Sequence, residues 1–194
     1  MDKMRKRDEK KLIALEQAAL DLVQENGLSQ LTINKLAKRA GVSVATAYIY
    51  FENKADLLGH LYQTAREQLI DSIPEPNEQD AISLQFETVM RAYAHNFNEA
   101  PKALNFMAAL AANPEYLPEA LQGNTTLLGP AMLAVIKRGY LAQMLLTDNV
   151  DLIIAQALQP LQWLYQVRAQ NQVVVASAEL DQLIAMATRA IFKA

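Results

Sequence analysis

The chain has 194 residues and no cysteine, which excludes disulfide bonds and thiolate metal sites and is typical of a reducing cytoplasm. Its net charge of −3 is unevenly divided: residues 1–54 hold ten Lys/Arg against seven Asp/Glu, and residues 55–194 hold eight against fourteen, which gives the totals of 18 and 21. A basic N-terminal segment ahead of an acidic remainder indicates that the N-terminal end binds nucleic acid. No apolar run is long enough for a membrane span, and the charged N-terminus lacks the apolar core of a signal peptide. We therefore expect a cytoplasmic protein without membrane contact.

Three helices are predicted within the first 54 residues. The first covers about Asp8 to Asn26, and an apolar stripe at i, i+3, i+4 and i+7 predicts a second over Ile33–Arg39. Gly41 then supplies a position that tolerates positive φ, and the Ser43 hydroxyl can cap a third helix over Val44–Phe51. A helix, a short turn with glycine and another helix form the helix-turn-helix motif, whose second helix lies in the DNA major groove.

A fourth helix is predicted from about residue 52 to Ile73. The segment Ile73-Pro-Glu-Pro-Asn77 ends it, because two prolines in three residues cannot remain helical. Few glycines and no β-branched run long enough for a sheet predict an all-α fold. The later helices are predicted over residues 81–99, 102–112, 127–146, 150–169 and 179–192.

Three motifs between residues 12 and 58 carry a family resemblance. They are Leu15-x-x-Ala18-Ala19-x-x-Leu22-Val23-x-x-x-Gly27, Leu36-Ala37-x-x-Ala40-Gly41-Val42-Ser43 and Thr46-x-Tyr48-x-Tyr50-Phe51-x-x-Lys54-x-x-Leu57. The segment resembles the DNA-binding domain of the TetR family of bacterial transcriptional regulators.

This resemblance implies a three-helix DNA-binding head over residues 1–54, joined by a connecting helix over 55–73 to a helical body over 74–194 that binds an effector and dimerises. It also implies a homodimer on a near-palindromic operator, with repression as the default and release by a small molecule bound in the body.

Eleven residues are candidates for contact with double-stranded DNA: Thr32, Asn34, Lys35, Ser43, Val44, Ala45, Thr46, Tyr48, Ile49, Tyr50 and Lys54. The resemblance assigns Thr46, both tyrosines and Lys54 to the DNA backbone, although the tyrosines could instead be partly core residues. Val44, Ala45 and Ile49 can make only apolar contacts, so we expect thymine methyl groups opposite Val44 and Ala45. Asn34 and Lys35 are the polar residues placed to reach base edges.

Eight residues of the body are candidates for binding an effector: Met90, Tyr93, Phe97, Phe106, Met107, Met132, Gln159 and Trp163. Each could equally be a core residue, since apolar side chains at helical spacing usually are. Pro160 inside an apolar helix frees a backbone carbonyl beside this set. Because cations are scarce in the body, we expect a neutral, largely hydrophobic effector. We expect no cofactor and no metal site, because the two histidines are isolated.

The sequence allows two alternatives to a regulator controlled by a small molecule to be weighed, an enzyme and a regulator controlled by a protein partner. An enzyme is disfavoured because the chain has no nucleophile elbow, no phosphate-binding glycine loop and no H-x-x-x-H pair. A helix-turn-helix protein controlled by a protein partner stays open. An enclosed cavity in the body would favour the small molecule, and a large exposed apolar patch outside the dimer face would favour the protein partner.

Overall fold

The computed structural model describes residues 2–123 and 126–193, with side chains from Glu9 onward in the first range. Every regular element of the described chain is a helix, and the one β-type contact among the described residues is an isolated antiparallel bridge between Leu145 and Phe192. The all-α prediction is therefore confirmed. The helices are α1 (Asp2–Asn26), α2 (Ile33–Ala40), α3 (Val44–Tyr50), α4 (Lys54–Arg66), α5 (Ile82–Glu99), α6 (Pro101–Ala112), α7 (Glu119–Gln122), α8 (Pro130–Leu141), α9 (Val150–Gln156), α10 (Leu158–Gln170) and α11 (Ser177–Ile191).

The helices form two compact units. Residues 1–65 with 105–126 form the first, and residues 66–104 with 127–194 form the second. This division by packing differs from the functional division at residues 54 and 73 that the sequence predicts, because residues 105–126 pack with the N-terminal unit. The functional division itself stays a prediction.

In the first unit, local caps define α2, α3 and α4. The Thr32 hydroxyl accepts a hydrogen bond from the Lys35 amide at 3.3 Å, and the Ser43 hydroxyl accepts one from the Thr46 amide at 3.0 Å. Asn53 accepts one from the Asp56 amide at 2.9 Å at the start of α4. These short polar side chains satisfy amides that the first turn of a helix leaves unpaired. Gly41 ends α2 with φ of 68°, in the left-handed region that the turn between the two helices requires.

The second unit is built around α5, which packs against α8, α10 and α11. Its buried face carries Phe86, Met90, Tyr93 and Phe97, each 1% exposed or less. After α4 ends, the chain makes a wider π-type turn over Glu67–Asp71 before it reaches the proline segment. Among the described residues, no helix is both long enough and apolar enough to cross a membrane.

Two predicted body helices differ from the structure. The helix predicted over residues 127–146 is α8 alone, because Pro130 is the first residue of the helix and Gln143 adopts φ of 55° just after it ends. The helix predicted over residues 150–169 is two helices, α9 and α10, separated at Ala157. Pro160 therefore lies in the first turn of α10, where its missing N–H costs nothing, and the chain breaks at Ala157, just before this turn.

Candidate nucleic-acid interface

The second helix of the motif, α3, turns an apolar face to solvent. Ala47 is fully buried and Phe51, just beyond the helix, is 2% exposed, so this side packs into the first unit. On the other side Ile49 is 80% exposed, with Ala45 one turn before it and also exposed. A helix that is held by one face and capped at its N-terminus can present the opposite face to a groove of DNA.

The N-terminus of α2 borders an open groove of about 280 Å³. The residues that line it are Leu31, Thr32, Ile33, Asn34, Tyr48, Glu52, Asn53 and Lys54. Four of the predicted DNA-binding residues are therefore brought together here, at the start of α2 and beside α3. Hydroxyl, amide and ammonium donors around one groove suit phosphate oxygens. The sequence prediction missed Asn53 as a lining residue, although its position just before α4 marks it as a helix cap.

Two cations of α2, Lys35 and Arg39, already have partners within the protein. The Lys35 ammonium donates to the backbone oxygen and the side-chain oxygen of Gln30, both at 3.1 Å. The Arg39 guanidinium pairs with Glu25 and lies 3.9 Å from Asp21. Two carboxylates on α1 therefore offset much of the positive charge that Arg39 would offer to DNA.

Lys54 is more constrained than these two cations. Its ammonium donates to the Leu28 carbonyl at 2.7 Å and to the Ser29 carbonyl at 3.4 Å, and it lies 4.7 Å from the centre of the Tyr116 ring. Partial burial lowers the pKa of the Lys54 ammonium from its usual value. An ammonium carries three protons, so one donor is left over for a phosphate. Tyr116 was not anticipated, because nothing in its local sequence marks it as a partner of Lys54.

The hydroxyl-bearing candidates differ in their exposure. Tyr48 is 53% exposed, whereas Tyr50 is half-buried, with its ring 6.5 Å from that of Phe51. Ser43 and Thr46 share a hydrogen bond of 2.8 Å between their hydroxyls at the start of α3. Tyr48 is thus the more solvent-exposed of the two tyrosines, whereas Tyr50 is partly packed into the protein.

The predicted effector-binding residues belong to both compact units and include buried and exposed side chains. Met90, Tyr93, Phe97 and Met132 are buried in the second unit, whereas Phe106 and Met107 are buried residues of the first. Gln159 and Trp163 are exposed on α10, and Trp163 is 64% exposed. These two residues lie on a surface, because α10 turns its buried side, with Leu161 and Tyr165, towards the core.

Tyr93 has no free hydroxyl to offer an effector. Its oxygen donates to the Leu127 carbonyl at 2.9 Å and accepts from the Gly129 amide at 3.0 Å. Burial raises the pKa of Tyr93 to about 12. Within the described residues, no group of three or more His, Asp or Glu side chains is placed to hold a metal ion.

Comparison with known proteins identifies what this geometry resembles. Residues 16–61 match the model of the bacterial regulatory proteins of the tetR family. The chain is 39% identical over 64 residues to the fatty acid metabolism regulator protein of Bacillus subtilis (strain 168), a match that covers 33% of each chain. It is 37% identical over 82 residues to the tetracycline repressor protein class G of Vibrio anguillarum, covering 39% of each. The matches thus span between a third and two fifths of the length of these curated relatives.

Solved structures extend the likeness in fold to the whole chain. A TetR family transcription regulator from Marinobacter aquaeolei VT8 has a TM-score of 0.84 at 21% identity, over 98% of this chain and 100% of that one. A TetR-family transcriptional regulator from Haemophilus influenzae RD has a TM-score of 0.69 at 22% identity, over all of both chains.

Proposed function

We propose that this chain, which belongs to the TetR family of bacterial regulatory proteins, regulates transcription by binding double-stranded DNA through α2 and α3. The observation that carries the proposal is the capped pair of short helices, with the exposed face of α3 beside the donor-lined groove at the start of α2. The family consists of transcription regulators and not of enzymes. We propose repression as the outcome of binding, and the cytoplasm as the place of action.

The protein would bind a near-palindromic operator as a homodimer. A dimer face is suggested by large apolar side chains that α9, α10 and α11 leave exposed in the single chain. Leu152 is 52% exposed, and Trp163 and Met186 are each 64% exposed. Because α9 packs against both α10 and α11, these side chains lie on neighbouring helices, and apolar side chains exposed on neighbouring helices are typical of an interface with a partner. We therefore assign Trp163 to the dimer face and no longer to an effector pocket.

The effector would be small, neutral and mainly hydrophobic. The side chains that support this class are Met90, Phe97 and Met132 of the second unit, which are apolar and fully buried. One relative is named for fatty acid metabolism, and the long hydrocarbon chain of a fatty acid is the kind of surface that such apolar side chains contact. Native mass spectrometry of the purified protein tests for a bound small molecule directly.

Control by a protein partner is the second candidate, and one surface favours it. Tyr140, Leu141 and Leu146 are each more than half exposed beside an open groove of about 690 Å³ at the end of α8. Tyr140 and Leu141 belong to α8, which carries none of the three side chains that we assign to the dimer face. Loss of operator binding on addition of a cell extract, but not of its small-molecule filtrate, would favour this candidate over the effector.

The first test is selection of bound sequences from a random pool of duplex DNA, at defined salt, with the purified full chain. We expect enrichment of a two-fold palindrome whose half-sites lie about 34–36 Å apart, one helical turn of DNA. Enrichment of a single unrepeated site would contradict the homodimer, and no enrichment would contradict specific DNA binding by the protein as purified.

The dimer face is tested through the emission of Trp163, the only tryptophan in the chain. We expect a red shift on dilution, because dissociation exposes the ring to water, and the same shift at high concentration in Met186→Glu. Leu133→Glu is the matched control, since Leu133 is 46% exposed on α8, outside the proposed face. A monomer at every concentration by sedimentation would overturn the proposal.

A further inference from the structure

We infer that Ile49 determines operator specificity by contacting the 5-methyl group of a thymine in each half-site. The inference rests on the proposed DNA-binding function and deepens it. The thymine contacts expected for Val44 and Ala45 are thereby extended to Ile49, the most exposed large apolar side chain of α3.

The position of Ile49 on α3 is the first argument. Successive residues of an α-helix are rotated by about 100°, so Ile49 lies about 200° from Ala47, the residue that anchors the helix. Ala47 is fully buried and Ile49 is 80% exposed, a greater exposure than that of any other large hydrophobic residue in the described chain. Ile49 thus points away from the first unit, on the side of α3 that faces solvent.

The neighbours of Ile49 provide the second argument. Ala45 lies one turn earlier on the same line, and its small side chain leaves the flank of Ile49 open. Thr46 is bonded to Ser43, and the ammonium of Lys35 and the guanidinium of Arg39 have partners in the protein. On α3 itself the exposed side chains of Val44, Ala45 and Ile49 are all apolar, so the centre of this face offers no bidentate donor for guanine and is suited to apolar contact with a thymine methyl.

The size of the effect follows from the surface removed from water. Burying one methyl or methylene group contributes about 0.8 kcal/mol, which corresponds to about a fourfold change in affinity. A change of this size at one base pair in each half-site of a symmetric operator is large enough to measure by titration. It is also small enough to leave overall binding intact.

The test uses the operator found by selection and removes one methyl group at a time. Each thymine is replaced symmetrically by deoxyuridine, which keeps the base pair and the O4 acceptor and lacks only the 5-methyl group. Affinities are measured at fixed salt for the unaltered full chain, Ile49→Ala and Leu133→Ala. Leu133 is the matched control, because it is 46% exposed on α8, outside the DNA interface and the surfaces proposed for a partner. Thermal melts verify that each variant is folded.

We expect one deoxyuridine position to weaken binding about fourfold for each methyl removed, in the unaltered chain and in Leu133→Ala. In Ile49→Ala the same replacement should change affinity by less than about twofold, because the partner of the methyl is gone. A palindromic operator that no deoxyuridine weakens, or one whose deoxyuridine effects persist in Ile49→Ala, would overturn the role of Ile49. Failure of the selection itself would instead count against the proposed function.

Discussion

Two glutamines of this chain occupy a backbone conformation that glycine adopts at lower cost. Gln143 and Gln172 both have φ of 55°, and Gln143 follows α8, where the Met144 amide closes the helix by donating to the Gly139 carbonyl at 3.0 Å. A residue with a Cβ is strained in this left-handed region. We expect Gln143→Gly to raise the free energy of unfolding by about 0.5–1 kcal/mol, measured by urea denaturation.

The same replacement within a helix should act in the opposite direction. Gln63 is exposed inside α4, where glycine loses more conformational freedom on folding than glutamine does. Gln63→Gly should therefore lower the free energy of unfolding by about 0.5–1 kcal/mol. If both variants shift stability in one direction, the backbone strain assigned to Gln143 is wrong.

Individual site residues were predictable where their role depends on local sequence. Ser43 and Thr32 cap helices through amides three residues away, so their positions follow from the pattern alone. Lys54 is different, because its ring partner Tyr116 lies 62 residues later in the chain. Trp163 shows the same limit, since spacing along a helix does not reveal which face the rest of the protein covers.

At the scale of elements, the short helices of the head were predicted closely and those of the body were not. Each head helix has a capping side chain or a glycine at its ends, and these signals are local. The end of α8 has no such signal, because Gln143 stands where glycine is usual. The break at Ala157 comes three residues before Pro160, since proline obstructs the carbonyl of the preceding turn.

The turn that follows α4 depends on one tightly packed glycine. A Cβ on Gly129 would lie 2.3 Å from the Ile70 side chain and 3.0 Å from the Tyr93 hydroxyl. Gly129→Ala must therefore displace Ile70 from the turn over Glu67–Asp71, and we expect it to lower the free energy of unfolding by about 1–3 kcal/mol. Gly123→Ala is the control in thermal and urea melts, because no described atom lies within 4 Å of a Cβ there. Equal stability of the two variants would contradict this packing.

Tyr93 connects the same region to α5 through its hydroxyl. Tyr93→Phe leaves the Leu127 carbonyl and the Gly129 amide without this partner, and we expect a loss of about 1–3 kcal/mol in the free energy of unfolding near pH 8.

The free energy of unfolding lost in Tyr93→Phe should depend on pH, because the pKa of Tyr93 is about 12 in the folded chain and about 10 in the unfolded chain. The contribution of Tyr93 is complete below pH 10 and is lost as the pH rises towards 12, since the unfolded phenol ionises first. Urea melts should show the difference between the wild type and Tyr93→Phe shrinking by about 1 kcal/mol at pH 11. A constant difference from pH 8 to 11 would contradict the burial of this hydroxyl.

At the scale of the whole molecule, the first compact unit is discontinuous in sequence. Residues 105–126 complete it: Tyr116 lies against Lys54, and a Cβ on Gly59 would lie 3.1 Å from the Pro118 ring. The sequence could not indicate this arrangement, because the connecting residues 66–104 belong to the other unit. A boundary drawn at the prolines after Ile73 therefore separates the head from part of its own packing.

This arrangement predicts how fragments of the chain behave. A fragment of residues 1–73 lacks the cation–π contact of Lys54 and the cover over Gly59. A fragment that joins residues 1–66 to residues 105–126 through a flexible Gly/Ser linker retains both. We expect the linked fragment to be more stable than residues 1–73 by at least about 1 kcal/mol in urea denaturation.

The control for this comparison carries the same linker, followed by residues 105–126 in scrambled order. It keeps the length and composition of the linked fragment but cannot place Tyr116 beside Lys54 or Pro118 beside Gly59, so it should unfold like residues 1–73. Tyr116→Ala in the linked fragment should lower its stability by part of the same amount, because the substitution removes the ring from Lys54 and leaves Pro118 in place. If all these fragments unfold at one urea concentration, residues 105–126 contribute nothing to the head, and the boundary near residue 73 is also the boundary of its packing.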